Sequence, residues 1–473
     1  YYFGSYFHII VLLNFMKNYN YIDLFCGPGG LSIGFGDQNY ELKLANDIDI
    51  NAVNTFKHNL STTHPETSDE KVVHGDIKEL YKYLGTDEVN EDSDSHISVE
   101  TQREKNQRTK TADLSENKKI QKILSQIKNI DVLVGGPPCQ GFSMIGRSKR
   151  ATIEERAQGF VDDPRNQLFK YFLRFAGTLN PKIILIENVK GLASASKYRD
   201  LIEEAVRTTG QSYILESEIL NAKNFGIAQH RERIFFIGIR KDLSEKYDIR
   251  PAEIFQRLNN IKSESLVLKD AISDLPELIP NPLPNNYKQE SEIGIGKKNS
   301  FGQNISTTDY KELITTNGKN YIQKINSYRL KNIKPSKLYN HKSRYHNERD
   351  LFIYTYLAHG KYLNDPANNK AMSKVSYGVK YDKNGNKSIK GFEDKYFKLD
   401  SDKVSKTIIS HLETDGNSYV HPGPNPRSIT PREAARIQSF PDWYFFKGST
   451  RNQFSQIGNA VPPILAKIIA SEI

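Results

Sequence analysis

The strongest constraint on the fold is a rhythm in the first half of the chain, where short apolar runs alternate with amphipathic stretches. The runs are Tyr21–Phe25 (YIDLF), Leu42–Ala45 (LKLA), Val132–Val134 (VLV), Ile183–Ile186 (IILI) and Ile234–Ile239 (IFFIGI), and stretches such as Gln167–Thr178 and Tyr198–Arg207 lie between them. Continuous apolar runs suit strands buried on both faces, so the pattern predicts an α/β fold whose parallel sheet is covered by helices on each side. In such sheets ligands bind beyond the carboxyl ends of the strands. The Gly-rich turn after Phe25, Asp47 after Ala45, Cys139 after Val134 and Glu187 after Ile186 all fall there.

At 473 residues the chain is long enough for two domains. Residues 1–245 are expected to form the first, completed by 445–473, and residues 246–444 a second, mostly β and loop-rich one. The stretch 85–120 has no aromatic residue and few apolar ones. It cannot bury enough surface to offset its ordering entropy, so a mobile insertion is expected. Asn384-Gly385 is a candidate hairpin turn. Helical patterning resumes at Thr430–Phe440, and Gln453–Ile473 is expected to supply a helix that returns to the first domain.

A surplus of 66 Lys+Arg over 56 Asp+Glu gives a formal charge of +10, which favours a polyanionic partner such as nucleic acid. The two cysteines, Cys26 and Cys139, sit in unlike surroundings, which argues against a disulfide framework and suits a reducing compartment. Neither belongs to a metal-ligand pattern, and no metal is expected. No apolar stretch is long enough to cross a bilayer, and no membrane is expected as a partner. The run His8–Phe15 (HIIVLLNF) reads as a buried strand or an upstream extension, with the native start expected at Met16.

The turn DLFCGPGG (23–30) follows a strand and opens a helix, so its glycines let backbone approach a ligand near a helix N-terminus. Asp47 closes the next run, where an acidic residue can grip ribose hydroxyls, and His74-Gly75-Asp76-Ile77 offers a third such position. Together they describe an adenosine-type pocket and leave open whether it holds a dinucleotide or S-adenosylmethionine. In GGPPCQGFS (135–143) prolines and glycines fix the backbone around Cys139 and leave its sulfur little to pack on. Glu187 ends a very apolar run and needs a partner. QHRER (229–233) sets two guanidinium groups, Arg231 and Arg233, at the sheet edge.

The ordered series DLFCGPGG, NDID (46–49), GDI (75–77), GGPPCQGFS, ENV (187–189), QHRER, RSITPREAARIQSFPD (427–442) and QIGNAVPP (456–463) resembles the motif set of DNA (cytosine-5) methyltransferases of the prokaryotic restriction-modification type. The segment VSKTI (404–408) resembles one that in the family reads Pro-Ser-x-Thr-Ile, with Val404 in place of proline.

The resemblance implies an S-adenosylmethionine-dependent, Rossmann-like methyltransferase fold with 246–444 as the target-recognition domain. It implies Cys139 as the nucleophile whose thiolate attacks C6 of cytosine. Glu187 would hold or protonate N3, Arg233 would contact the O2 side, and Arg231 would support it. Phe25, Gly27, Gly29, Gly30, Asp47, Ile48, Asp76, Ile77, Leu168, Asn459 and Val461 match cofactor-pocket positions. Gln140, Ser143, Arg147 and Thr407 match DNA contacts, the first three in a mobile loop (140–165) closing over an extruded base. Double-stranded DNA is the expected partner, the enzyme a monomer in a prokaryotic cytoplasm, with a cognate restriction endonuclease encoded alongside. His341-Lys-Ser-Arg344 reads either as a contact to bases or phosphates or as a solvated basic strip.

Three other readings compete. A tRNA cytosine-5 methyltransferase would share the catalytic core, but the long 246–427 segment argues against it. A non-catalytic DNA-binding module has no need of Cys139, Glu187 and Arg233. A nicotinamide dehydrogenase leaves those residues unexplained.

Overall fold

The computed structural model describes residues 19–63, 69–84, 114–138, 168–192, 206, 212–261, 263–264, 266–280, 292–294, 319–327, 337–375, 379–381, 387–389 and 395–473. Seven strands form one sheet: β1 (Tyr19–Leu24), β2 (Tyr40–Asp47), β3 (Val72–His74), β4 (Val132–Gly135), β5 (Ile183–Val189), β6 (Tyr213–Asn221) and β7 (Glu232–Arg240). Their spatial order is β3-β2-β1-β4-β5-β7-β6. β1 to β5 pair in parallel, whereas β7 runs antiparallel to both β5 and β6. The sheet is therefore mostly parallel, with a hairpin at one edge. The five apolar runs seen in the sequence lie in strands, except that Phe25 falls in the turn just past β1.

The first-half helices are α1 (Gly30–Asp37), α2 (Ile50–Thr63), α3 (Ile77–Lys82), α4 (Leu114–Gln126) and α5 (Leu168–Leu179). They are followed by α6 (Lys241–Tyr247), α7 (Pro251–Asn260), α8 (Leu268–Ile272), α9 (Lys319–Asn326), α10 (Glu348–Tyr356), α11 (Asn369–Met372), α12 (Pro431–Ile437), α13 (Thr450–Asn459) and α14 (Pro463–Glu472).

Successive strand residues point to opposite faces, and each face has its own core. Tyr21, Val132, Val134, Leu185, Phe235 and Ile237 belong to one, Ile22, Leu24, Leu133, Ile184, Ile186 and Phe236 to the other. The second is closed by α3 and α5 through Ile77, Leu80, Phe172 and Phe175. The first is closed by α1 and α14, which pass so closely that a Cβ on Gly34 would lie 2.3 Å from the Lys467 nitrogen. The expected return of Gln453–Ile473 is thus made by two helices, split where Pro462-Pro463 cannot continue the hydrogen-bond ladder.

Three expectations need correction. α4 begins at Leu114, inside the stretch expected to be mobile to residue 120, because Ile120 and Leu124 recur one turn apart and both bury. The described part of 246–444 is not mostly β. Four strands of three residues each stand there, pairing β8 (Glu292–Gly294) with β9 (Lys337–Tyr339) and β10 (Val379–Tyr381) with β11 (Lys387–Ile389). The β10–β11 pair brackets Asn384-Gly385, which lies outside the described residues, as do residues 1–18 and most of Tyr198–Arg207. Moreover α7, α8, α9 and α12 contribute Phe255, Leu268, Ile322 and Ile437 to the same core as Tyr21 and Phe235. A separate small core gathers Ile353, Tyr354, Leu363, Met372, Tyr396 and Val420.

The third correction concerns His341–Arg344. His341 is fully buried, its Nε2–H donating to the Pro276 carbonyl at 2.7 Å while Nδ1 meets Thr430 Oγ1 at 3.0 Å. Ser343 is buried too, and Arg344 donates to the Leu412 carbonyl and covers the Phe454 ring at 4.4 Å. These three side chains hold the interior together instead of facing solvent or bases.

Burial depresses the pKa of His341 and His421 to about 4 and of His346 to about 3. Their folded values lie below the ordinary 6.5, so the unfolded chain takes up the protons first as pH falls. Their contribution to stability is complete above about pH 6.5 and is lost as pH drops toward 4. Urea midpoints measured across that window should fall steeply with acid, and a midpoint unchanged from pH 7 to pH 4.5 would contradict the burial of these neutral imidazoles.

Candidate active site

The turns that follow β1, β2 and β3 are stitched together at one end of the sheet. Cys26 N donates to the Asn46 carbonyl at 3.0 Å, Gly75 N to the Asp47 carbonyl at 3.1 Å, and Asn46 Nδ2 to the Gly75 carbonyl at 3.0 Å. The Asp47 carboxylate spans the gap, with Oδ2 accepting from Gly27 N at 2.8 Å and Oδ1 from Asp49 N at 2.8 Å. Burial pushes its pKa up, and the two N–H groups oppose that push.

Phe25, Gly27 and Gly29 hold left-handed backbone at φ 59, 54 and 87, so the chain coils sharply before α1. A Cβ on Gly29 would meet the Phe56 ring at 2.8 Å, and one on Gly30 would lie 2.3 Å from the Val461 carbonyl. The C-terminal QIGNAVPP segment is thereby laid against the glycine turn. Gly27 and Gly75, by contrast, face open space. Ile48 beside them is 59% exposed, Asn459 is exposed, and Ile77 and Val461 are nearly buried. Asp76 caps α3 by accepting from Lys78 N. The structure thus brings Phe25, Gly27, Gly29, Gly30, Asp47, Ile48, Asp76, Ile77, Asn459 and Val461 around the ends of β1 to β3. Leu168 opens α5 and, like Phe25, packs half-buried against the second core.

At the ends of β5 and β7 the antiparallel register sets Val189 opposite Arg233. Glu187 is buried, and its Oε1 pairs with Arg233 Nε at 3.0 Å. Burial lowers the pKa of Arg233, and the Glu187 charge counteracts it. Glu187 Oε2 would lie 3.1 Å from a Cβ on Gly136, so the carboxylate faces the backbone that leads into Pro137-Pro138-Cys139. Asn188, whose role was not legible beyond its place in ENV, donates from Nδ2 to the Pro137 carbonyl at 3.0 Å. Cys139, Gln140, Ser143 and Arg147 lie outside the described residues.

Arg231 is 1% exposed and donates to the carbonyls of Ile408 (2.8 Å), Gly458 (3.1 Å) and Ala460 (2.9 Å). Its Nη1 and Nη2 are thus spent on backbone while Nε has no hydrogen-bond partner, and its expected support of Arg233 passes through the chain. Thr407 donates its hydroxyl to the His230 carbonyl at 2.6 Å, and Ser405 forms a parallel bridge with Gln229. Two further residues escaped the sequence reading. Asp23 is buried, accepts from Ser32 Oγ at 2.6 Å and leaves Oδ1 without a partner, so burial raises its pKa to about 7. Tyr444 reaches across to the Pro28 carbonyl of the glycine turn. Among the described residues, no group of three or more His, Cys, Asp and Glu side chains is placed to hold a metal ion, and no helix is long and apolar enough to cross a membrane.

A mixed sheet with helices on both faces, with a glycine turn and a Glu–Arg pair at the strand ends, places the chain among methyltransferases of the S-adenosylmethionine-dependent fold. The chain belongs to the C-5 cytosine-specific DNA methylase family, whose model matches residues 19–94 and 96–473. It is 30% identical over 479 residues to the type II methyltransferase M.AgeI of Thalassovita gelatinovora, covering 96% of this chain and 98% of that one. It is also 30% identical to the type II methyltransferase M.DdeI of Desulfomicrobium norvegicum, covering 96% and 88%. Among solved structures it resembles a candidate DNA modification methyltransferase encoded within an E. coli prophage, with TM-score 0.57 and 26% identity over 96% of this chain and 98% of that one.

The Arg231 geometry makes a prediction. Arg231→Met removes the donors of three buried carbonyls and should lower unfolding free energy by about 3 kcal/mol, with the urea midpoint shifted and the slope unchanged. A variant as stable as the parent but unable to transfer methyl groups would show that Arg231 touches the substrate.

Proposed function

We propose that the enzyme methylates carbon 5 of a cytosine extruded from a specific duplex DNA sequence, through a covalent adduct at Cys139, as the modification partner of a restriction endonuclease in a prokaryotic cytoplasm. The observation that carries this reading is the buried Glu187–Arg233 pair set against Gly136, two strand ends from the Gly27–Asp47 turn. A carboxylate and a guanidinium side by side suit the N3 edge and the O2 of a cytosine ring, since one can share a proton and the other donates.

Cytosine C5 is a poor nucleophile until C6 is attacked. The Cys139 thiolate adds to C6, and Glu187 places a proton at N3 so that charge does not build on the ring. Arg233 donates toward O2. C5 then has enamine character; after it accepts a methyl group it loses its proton, and elimination of the Cys139 thiolate from C6 restores the ring. Asn188 positions the prolyl turn that carries Cys139.

The open space beside Gly27 and Gly75, with exposed Ile48 and the Asp47 carboxylate, fits S-adenosylmethionine. Asp47 would accept from ribose hydroxyls, Ile48 and Ile77 would flank the adenine, and Phe25, Gly29, Gly30, Asp76, Leu168, Asn459 and Val461 would complete the pocket. The cofactor supplies a methyl group on an electrophilic sulfonium. Gln140, Ser143, Arg147 and Thr407 are assigned to DNA, and residues 246–444 to target recognition.

Bisulfite sequencing of DNA from cells expressing the chain should show one short motif protected at cytosine, and purified enzyme should methylate duplex DNA in preference to tRNA. Duplex DNA with 5-fluorocytosine at the target should trap a stable adduct, while Cys139→Ser should still bind DNA and cofactor but transfer essentially no methyl groups. Turnover by Cys139→Ser, or an adduct that forms without that sulfur, would refute the mechanism.

A further inference from the structure

The glycine turn is held from a distance as well as locally. Its Pro28–Gly29 peptide lies between Gly27 and Gly29, both in left-handed backbone. The proline ring fixes φ at Pro28, but a glycine accepts either sign of φ, so Pro28 ψ and Gly29 φ can change together and turn this peptide over. Two hydrogen bonds choose its orientation. Gly29 N donates to the Cys26 carbonyl at 2.9 Å, and the Tyr444 hydroxyl donates to the Pro28 carbonyl. The first stays within the turn, whereas the second spans 416 residues of sequence.

Tyr444 delivers its hydroxyl from a rigid mount. Its own carbonyl accepts from Arg432 Nη2 at 2.5 Å, and Arg432 Nη1 reaches the Pro441 carbonyl at 3.0 Å, which ties the segment to α12. Phe445 exchanges two bonds with Asn59 of α2, N to Oδ1 at 2.9 Å and Nδ2 to the carbonyl at 2.8 Å. Lys447 N donates to Thr55 Oγ1, also on α2, at 2.8 Å. The buried Tyr444 ring packs among Phe440, Trp443 and Phe446, with centroids 5.2, 5.6 and 5.3 Å away. A phenylalanine would fill that space as well, so what tyrosine adds is a hydroxyl that must be satisfied inside an apolar cluster. The Pro28 carbonyl accepts from it.

We propose that Tyr444 is a positioning residue for the methyl donor, its hydroxyl holding the Pro28–Gly29 peptide so that the glycine turn beside Asp47 is formed before the cofactor arrives. The proposal rests on the S-adenosylmethionine site assigned above and adds the distant group that shapes it. Without the hydroxyl the turn divides between two peptide orientations. The cofactor then binds only the competent fraction, and affinity falls in proportion. Methyl transfer within the bound complex is unaffected, because binding restores the orientation.

The test uses the full-length enzyme and S-adenosylhomocysteine, whose binding calorimetry reads without turnover. Tyr444→Phe should raise its Kd about ten-fold, which corresponds to a competent fraction of about one-tenth. KM for S-adenosylmethionine should rise by the same factor, while kcat at saturating donor and KM for duplex DNA stay within about two-fold of the parent. Amide exchange over residues 23–30 should quicken in the free variant and return to the parental rate when S-adenosylhomocysteine is bound. Tyr321→Phe is the control. It removes another buried hydroxyl, one that donates to the Arg436 carbonyl at 2.6 Å, and should lower stability but leave the Kd unchanged. If Tyr444→Phe does not fold, Pro28→Gly decides, since it releases the remaining restraint on the same peptide and should raise the Kd as well. A parental Kd in folded Tyr444→Phe, or in Pro28→Gly where that variant decides, overturns the proposal. So does an equal loss of affinity in Tyr321→Phe, or a fall in kcat with KM unchanged. A parent enzyme that fails to bind S-adenosylhomocysteine overturns the cofactor reading instead.

Discussion

The guanidinium of Arg231 is the interaction on which the arrangement of the site depends. Taking an arginine wholly out of water is costly, and hydrogen-bond partners are what make it tolerable. Here three carbonyls, from Ile408, Gly458 and Ala460, engage Nη1 and Nη2 and leave Nε unpartnered, and they come from segments far apart in the chain. That single group fastens the entrance to β7, the VSKTI segment and the end of α13 to one another. Arg233, two residues on, inherits its place opposite Glu187 from the same anchor. Val461, one residue past Ala460, is brought against Gly30. The Glu187–Arg233 pair and the glycine turn are therefore held in register by a residue that belongs to neither.

A second anchor explains why the C-terminal half resists division into a separate domain. Arg436 is fully buried between Asp274 and Asp442, with Arg427 paired to Glu433 nearby. Buried pairs of this kind fix which segments meet more than they add stability, because desolvation consumes much of the Coulombic gain. They join α8, α12 and the turn after it to the sheet's first core, and among the described residues only the cluster around Tyr354 and Tyr396 has apolar packing of its own.

How much of this was legible follows from the physics of each element. Strands buried on both faces advertise themselves as apolar runs, so β1, β2, β4, β5 and β7 were visible. β6 was not, because Glu216, Ser217 and Glu218 interrupt it where an edge strand meets solvent. β3 is only three residues long. Residues of the site that are defined by a local turn, Gly27 to Gly30 or Asp47, could be read from spacing. Residues defined by a long-range partner could not: nothing local in QHRER tells that one arginine clamps carbonyls and the other meets Glu187. For the same reason His341–Arg344 read as either a nucleic-acid contact or a solvated strip, since a polar residue's burial is decided by whether distant carbonyls and hydroxyls arrive to satisfy it.

The contrast between Asp23 and Asp47 carries the argument one step further. Both are acids at strand ends and both are desolvated, but Asp47 receives two backbone N–H groups, whereas Asp23 receives one hydroxyl and keeps Oδ1 unpartnered. With its pKa raised to about 7, Asp23 exchanges its proton near neutrality and need not present a charge beside the turn. That difference matters for a pocket at this position. Burial raises the pKa of Asp47 as well, but the N–H groups of Gly27 and Asp49 oppose that rise beside the open space. A second full charge on Asp23 would repel that of Asp47 through low-dielectric surroundings. The glycine turn thus does two things: it coils tightly enough for Val461 to pack on Gly30, and its Gly27 N–H favours the charged form of Asp47 where Asp23 has only a hydroxyl.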